Sequence, residues 1–558
     1  MPIPRSAARS RLAAFLTVLT AAVLLAFPGA ASADLVVSNV SGGILTVESD
    51  AGDAIAITCD GGEVEVNDAP PETGDPDPLC NAIDSILVTG GDQANAITLV
   101  GVTVAAFPDV TTVDVGGGDG NDTITGSEHE DDLFGGGDDD RIIGDNNPAT
   151  TRDVASGDDG NDTLVWNPGD GDDINEGGAG TDTIEVNGGG GGEQFTVAPS
   201  TTAGRVLFDR TGPTPPGPFN LDIGTAERLD LNANAGDDTM TSTTPVGFVL
   251  DIDGGDGNDT LDGGDEADQI TGGAGNDRII GDNNPAATRD NSVGGDGDDT
   301  LVWNPGDGDD TNEGGAGSDT IEVNGGSGGE QFTVRPSPTA GRVLFDRTGP
   351  TPPGPFNLDI GTAERLVLNA GDGNDRIIGA NGLAGRIAST LNGDGGNDRI
   401  TGTDGADRLS GGAGNDVIRA RDTRGDRVLC GPGRDVARVD RRDRPNSCEV
   451  VIGGALRVRV LGRTVDVTLG RAVVRVRCVG TRRCRGNVRL LRGSRSLGTA
   501  RFTATRRRAK RVRVKLNRRG RRLVAAAPPR GARITVQINA RDGAGNGWRT
   551  TKRMRLTR

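Results

Sequence analysis

The chain has 558 residues, among them 91 glycines, no tyrosine and one histidine, and it carries a net charge of −22. That length is too great for one ordinary core and calls for several domains or a repeat array. The composition suits a turn-dense repeat protein better than an average enzyme. Residues 451–558 hold 32 of the 59 Lys and Arg but only two of the 81 acidic residues, Asp466 and Asp542. A polyanion of −52 is therefore joined to a polycation of +30, and a single isoelectric point describes neither part.

Residues 1–33 carry Arg5, Arg9 and Arg11, then an apolar run from Leu12 to Phe27, then Ala31, Ser32 and Ala33. This is the pattern of a secretory leader with a small-residue cleavage site, so the mature chain is expected to start near Asp34. The apolar run is shorter than the roughly 20 residues a spanning helix needs. No second apolar segment follows, so the mature chain is expected to have no membrane span.

Residues 34–115 show short β-branched runs, 44–47, 54–57 and 97–100, each bounded by Gly, Asp or Asn. They read as strands of a compact N-terminal β domain. The six cysteines of the chain form three locally spaced pairs, Cys59 with Cys80, Cys430 with Cys448 and Cys478 with Cys484. Disulfides fit export better than zinc does, because the spacings are wrong for zinc and no histidine lies near.

From 116 to 450 the chain repeats itself at two periods. Segment 141–233 recurs almost unchanged as 278–370, so that Trp166 matches Trp303, Phe219 matches Phe356 and Glu227 matches Glu364. Such an array predicts a stack in which each unit buries its apolar face against its neighbours. A finer period returns an aspartate every nine residues, as in Asp122, Asp131 and Asp140, then Asp259, Asp268 and Asp277, then Asp398, Asp407 and Asp416. Further units end in Asp162, Asp173, Asp182, Asp299, Asp310, Asp319, Asp375 and Asp435. An aliphatic residue follows most of these two positions later, Ile124 and Leu133 being the first, enough to line a narrow coil of short strands and tight turns. Segments 185–235 and 322–370 interrupt the array with Pro-rich loops and strands such as 205–208, read as broader coils or excursions of the same stack.

At these residues the sequence resembles the hemolysin-type, or RTX, calcium-binding repeat family, whose unit is GGxGxDxUx with U a large apolar residue. The matching stretches are 117–124, 254–261, 272–279, 314–321 and 411–418. The resemblance implies a parallel β-roll in which six residues turn around Ca2+ and three form a strand. It makes the seventeen aspartates named above the metal-site candidates, with several Ca2+ ions as the cofactor. Some units depart from the pattern: His129 stands at a glycine position, Cys430 replaces a first glycine, and Asn175 and Asn312 take the apolar place.

Electrostatics supports the same reading. Parallel strands stack about 4.8 Å apart, and two carboxylates at that spacing repel by roughly 0.8 kcal/mol in water or about 3 kcal/mol at an effective dielectric of 20. A cation between coils removes the repulsion, and Gly carbonyls with Asp carboxylates offer hard oxygens without octahedral precision, which suits calcium. An EF-hand does not fit, since its twelfth-position Glu would fall at Thr181 or Ala267.

Residues 451–558 alternate with period two, as in 456–460, 511–514 and 534–538, and predict an antiparallel sandwich of about eight strands that looks like a bacterial immunoglobulin-like domain. No helical periodicity is visible after the leader.

Catalytic signals are weak. The stretch 325–329 satisfies GxSxG, but the first copy has Gly190 in place of Ser327, and His129, read as a surface turn residue, is not placed to act as a base. No HExxH occurs. A calcium-dependent polysaccharide lyase on a parallel β-helix is the enzyme alternative, with only Trp166, Trp303 and Trp548 to stack on sugars. An adhesin binding anionic surface polymers or polysaccharides through Arg506, Arg507, Arg508, Arg518, Arg519, Arg521 and Arg522 is the other, and specific nucleic-acid binding is not expected, for want of interleaved aromatics. The reading is an all-β, non-enzymatic, extracellular calcium-binding structural or interaction protein, associated with the cell surface in the adhesin case.

Overall fold

The computed structural model describes residues 36–71, 77–144, 152–212, 218–243, 247–281, 289–349, 355–440, 442–453, 457–479, 483–506, 508–542 and 547–557. The leader read at 1–33 lies outside the described residues, as do Arg507 and most of the Pro-rich loop at 211–219. The chain is nearly all β. Among the described residues no helix is long and apolar enough to cross a membrane.

Residues 36–453 wind into a solenoid of two facing, mostly parallel sheets. Each nine-residue unit builds half a turn, not a whole one. Strand Thr123–Thr125 belongs to one sheet and Asp131–Gly137 to the other, and Arg141–Ile143 returns to pair in parallel with Thr123–Thr125. Two glycines set the turn by adopting positive φ, Gly118 at 110° and Gly120 at 103° in the first unit, a region costly for residues with a Cβ. The short runs between turns, such as Thr-Ile-Thr, favour the extended state and send one aliphatic inward. From Ile124 to Ile418, the aliphatics two places after the aspartates are at most 2% exposed.

Each interruption of the array is an antiparallel meander inserted into one sheet. In the first copy Gln194–Pro199, Arg205–Thr211 and Phe219–Gly224 pair successively, and the outer two join the parallel strands on either side. Their core is a stack of aromatics, with Trp166 on Phe219 at 3.6 Å between ring centres, repeated by Trp303 on Phe356. The second meander, Gln331–Pro336 to Phe356–Gly361, lies in the opposite sheet. The 137-residue period contains an odd number of half-turns, so every element of the second copy changes sheet. Arg141–Ile143 pairs in one sheet and its counterpart Arg278–Ile280 in the other.

The boundary expected near residue 115 is not seen in the packing. Ser85–Thr89 pairs in parallel with Thr112–Asp119, and one apolar core runs from Leu45 to Val439. The turn row itself continues into this segment, with Asp53 N donating to Asn95 Oδ1 at 3.0 Å and Asn95 N to Asp122 Oδ1 at 2.6 Å. All three expected disulfides are formed, Cys59–Cys80, Cys430–Cys448 and Cys478–Cys484.

Residues 457–557 have a separate core, from Val458 to Leu556. Where a sandwich of about eight strands was expected, seven strands form one sheet whose outer members approach through a Gly498–Leu516 bridge, giving a barrel-like closure. Pairing is antiparallel except between Arg457–Thr468 and Gly547–Thr557. A short helix, Arg518–Ala525, capped by the Asn517 side chain, was not legible in the alternating pattern and carries Arg518, Arg519, Arg521 and Arg522.

Candidate metal centres

The half-turn geometry sorts the sequence-identified aspartates into rows running along the edges of the solenoid. Within a row, the backbone N–H of each aspartate donates to Oδ1 of the aspartate one coil further on. Asp122 donates to Asp140 at 2.8 Å, Asp140 to Asp162 at 2.8 Å and Asp162 to Asp182 at 2.9 Å. Asp131 is not in this row: it lies across the solenoid and donates to Asp153. The nine-residue triplets are thus split. Asp259 and Asp277 share one edge while Asp268 takes the other, and Asp398 and Asp416 are likewise separated from Asp407. Glutamates end three rows, Asp182 donating to Glu227, Asp319 to Glu364 and Asp435 to Glu449.

The second carboxylate oxygen decides what each turn can hold. Of the seventeen aspartates, thirteen have a buried Oδ2 with no hydrogen-bond partner: Asp122, Asp140, Asp162, Asp182, Asp259, Asp268, Asp277, Asp299, Asp319, Asp375, Asp398, Asp416 and Asp435. A buried, unpaired carboxylate oxygen is costly. In most of these turns the first glycine forms the wall of the cup that this oxygen faces. A Cβ on Gly254 would come within 2.5 Å of Asp259 Oδ2 and 2.6 Å of the Gly272 carbonyl oxygen in the next coil. The same pairing of own carboxylate and next-coil carbonyl recurs at Gly393, with Asp398 and Gly411. The donor set is all hard oxygen, from carboxylates and backbone carbonyls, and the orphaned oxygens fit a cation of the calcium class.

Proton affinity reports the same deficit. Burial, with neighbouring aspartates adding to it, raises the carboxyl of Asp140 to about 7, Asp375 to about 7 and Asp268 to about 8. These groups hold protons far above the usual carboxylate range.

Four of the seventeen differ. Asp131 and Asp407 accept from a serine or threonine in their own turn, Asp131 from Ser127 N and Oγ, Asp407 from Thr403 N and Oγ1. Asp173 and Asp310 each take one backbone donor and precede the buried Asn175 and Asn312. Sequence reasoning missed Asp238, which has an unpartnered Oδ2 and accepts from Glu193 N. Its signal was present, Gly236 two places before and Met240 two after. It also missed Glu193 and Glu330, which occupy the aspartate place in two units and are paired internally with Arg210 and Arg347.

His129 is 7% exposed, a correction to the surface position expected for it, and burial lowers its pKa. The GxSxG stretch is the turn around Glu330, whose Oε2 accepts from Gly326 N. Trp166 and Trp303 are each 3% exposed and sit in the core, not on a sugar-binding surface.

The family model described as RTX calcium-binding nonapeptide repeat (4 copies) matches residues 116–146, 253–284, 305–327, 367–382 and 388–421. Turns outside these segments, at Asp162, Asp182, Asp299 and Asp435, have the same orphaned oxygen as turns inside them. No curated protein matches the chain.

Proposed function

Starting from a chain that carries RTX calcium-binding nonapeptide repeats, we propose that it is a secreted, non-enzymatic protein whose solenoid binds several Ca2+ ions and depends on them for its fold. The observation that carries this is the set of thirteen buried aspartate oxygens without partners. Calcium, when bound, supplies charge neutralisation between coils. Each Asp holds its coil to the one before through Oδ1 and offers Oδ2 to the ion, while the first glycine leaves the neighbouring carbonyl open. Extracellular calcium modules bind at about 10⁻⁴ to 10⁻³ M, so export itself would trigger folding. The leader pattern at 1–33 supports secretion, and the near-identical copies, with Trp166 and Trp303 in the core, support a role without catalysis.

The test is hydrogen exchange of the full chain in EGTA and in millimolar Ca2+, with calorimetric titration alongside. Protection of the aspartate-turn strands, such as those in 123–143, 260–280 and 399–418, should appear only with calcium, at a stoichiometry well above one. Equal protection in both conditions would overturn the calcium-dependent fold.

A second reading concerns residues 451–558, taken as a module that binds anionic polymers. It is supported by one sheet face: Arg475 lies opposite Arg511 and Arg471 opposite Lys515, all exposed. Like charges directly opposite destabilise a sheet, and an anionic partner relieves that. Salt-dependent retention of the full chain on heparin, reduced by Arg475→Gln with Arg511→Gln, would support it; unchanged retention of that variant would remove this face from consideration.

A further inference from the structure

One coil breaks the repeat pattern and yet stays in its row. Between Ala420 and Val428 the chain reads ARDTRGDRV, with Ala420 at the first-glycine place and six steps to Asp426 instead of the usual five. The family match ends at residue 421. Asp407 N still donates to Asp426 Oδ1 at 3.0 Å, and Asp426 N to Asp443 Oδ1 at 3.2 Å. The additional residue brings Asp422 in beside them, so that one carboxylate oxygen from each of Asp407, Asp422 and Asp426 lies within 4.8 Å of the other two. Asp426 is 1% exposed, and its Oδ2 has no partner. Asp422 Oδ2 is also buried without one. The cup of the regular turns is missing here: a Cβ on Gly402 would meet Asp407 Oδ2 and the Leu409 side chain, with no next-coil carbonyl among its nearest contacts.

We propose that Asp407, Asp422 and Asp426 form a separate hard-cation site made of three side-chain carboxylates, selective for a calcium-class ion and tighter than the repeat turns. Three formal charges converge where a repeat turn offers its carboxylate beside neutral carbonyls, and ligand charge is what tunes calcium affinity. Asp422 is the member that belongs to this site alone.

The test is calcium calorimetry on the full chain, on Asp422→Asn and on Asp268→Asn. Asp422→Asn should remove one ion from the tightest class, or weaken it at least tenfold, and leave the remaining isotherm unchanged. Asp268→Asn should do the reverse. Directly excited Eu3+ emission should report one tight ion in the parent that is absent from Asp422→Asn. In EGTA the isosteric Asn variant should show no less hydrogen-exchange protection at 408–429 than the parent, since it removes a charge from a repelling trio. Superimposed isotherms for the parent and Asp422→Asn, or less protection of that variant in EGTA, would overturn the proposal whatever the repeat turns do.

A different observation carries a second inference. Glu193 and Glu330 occupy the aspartate place, five residues after Gly188 and Gly325, and a Cβ on Gly188 would meet Glu193 Oε2 and the Ala233 carbonyl at 2.6 Å each. The cup is therefore the same as in a calcium turn, but all carboxylate oxygens in it are satisfied. Oε2 accepts from Gly189 N at 2.8 Å, and Oε1 accepts from Arg210 Nε at 2.8 Å, with both side chains 1% exposed. Glu330 and Arg347 repeat the arrangement. We infer that these guanidiniums, delivered by the inserted meanders, are built-in cations, so that the two coils hold their fold without calcium and divide the array into blocks.

This inference rests on the calcium reading of the other turns. In EGTA, the parent should keep hydrogen-exchange protection at 194–211 and 331–348 while 260–280 loses it. Arg210→Ala should make 194–211 calcium-dependent and leave 331–348 unchanged. If 194–211 in the parent loses protection together with 260–280, the inference fails and the calcium reading stands. If calcium changes nothing anywhere, the calcium reading fails first.

Discussion

In the rows the Oδ1 atom of an aspartate is taken by a backbone N–H of the preceding coil, and thirteen of the seventeen leave a buried Oδ2 without a hydrogen-bond partner. Replacing Asp268 by Ala removes both. Its Oδ1 accepts from Leu250 N, and its own N–H donates to Asp290, so the damage should stay on that edge. Calorimetry should show calcium loss beside Asp268, with the row at Asp398 and Asp416 retaining its affinity. Equal loss at both would contradict a nearest-neighbour stack. Ile279, 1% exposed, tests the inner face: Ile279→Ala should cost about 2–5 kcal/mol of unfolding free energy in saturating calcium, measured by denaturant titration. Most of these residues were legible from the nine-residue spacing alone. Asp238 was overlooked although its Gly and apolar neighbours were in place, and Asp426 is invisible to the motif because its turn is one residue longer.

At the scale of elements, the meanders show what a near-perfect duplication does and does not repeat. Their contacts are the same in both copies: Trp166 on Phe219 and Trp303 on Phe356, each at 3.6 Å. Truncating either Trp to Ala should therefore destabilise calcium-loaded protein by a similar amount, about 3–5 kcal/mol. Thermal unfolding of the two single variants checks it, and markedly different shifts would mean that the copies are energetically unequal. The sheets that the meanders join are not the same. Each meander adds two strands to one sheet, and the second adds them to the opposite one, so the two sheets end with matching numbers of strands.

For the whole molecule, the rows proposed to bind calcium are also those whose carboxyls are raised, so protons and calcium are expected to compete for them. Burial raises the carboxyls of Asp140, Asp268 and Asp375 to about 7, 8 and 7, well above the 3.8 of an unfolded Asp. A raised acid favours the fold while it is protonated, and that contribution is lost as pH rises through the folded value. In EGTA the solenoid should therefore retain more folded structure at pH 5 than at pH 8. With calcium the order should invert, because the ion needs the ionised form. Following Trp fluorescence during melting at both pH values, with and without calcium, checks both signs; the same order in both conditions would refute the competition. The basic domain, with only Asp466 and Asp542 as carboxylates, should melt independently of calcium.

The sequence by itself determined the chemistry: glycine where the turn needs positive φ or close approach, aspartate at each turn, one aliphatic per half-coil, and cysteines paired locally. These are properties of nine consecutive residues and need no partner to be read. The tertiary structure alone decided which aspartates face one another. A nonapeptide closes half a turn, so neighbours in a row lie 18 to 23 residues apart in the regular coils. They lie 45 apart across a meander. It also decided that 36–115 belongs to the same stack and that the second copy is reversed between sheets. Those facts follow from how many half-turns separate two residues, a count that inserted strands and lengthened turns alter without changing the local motif.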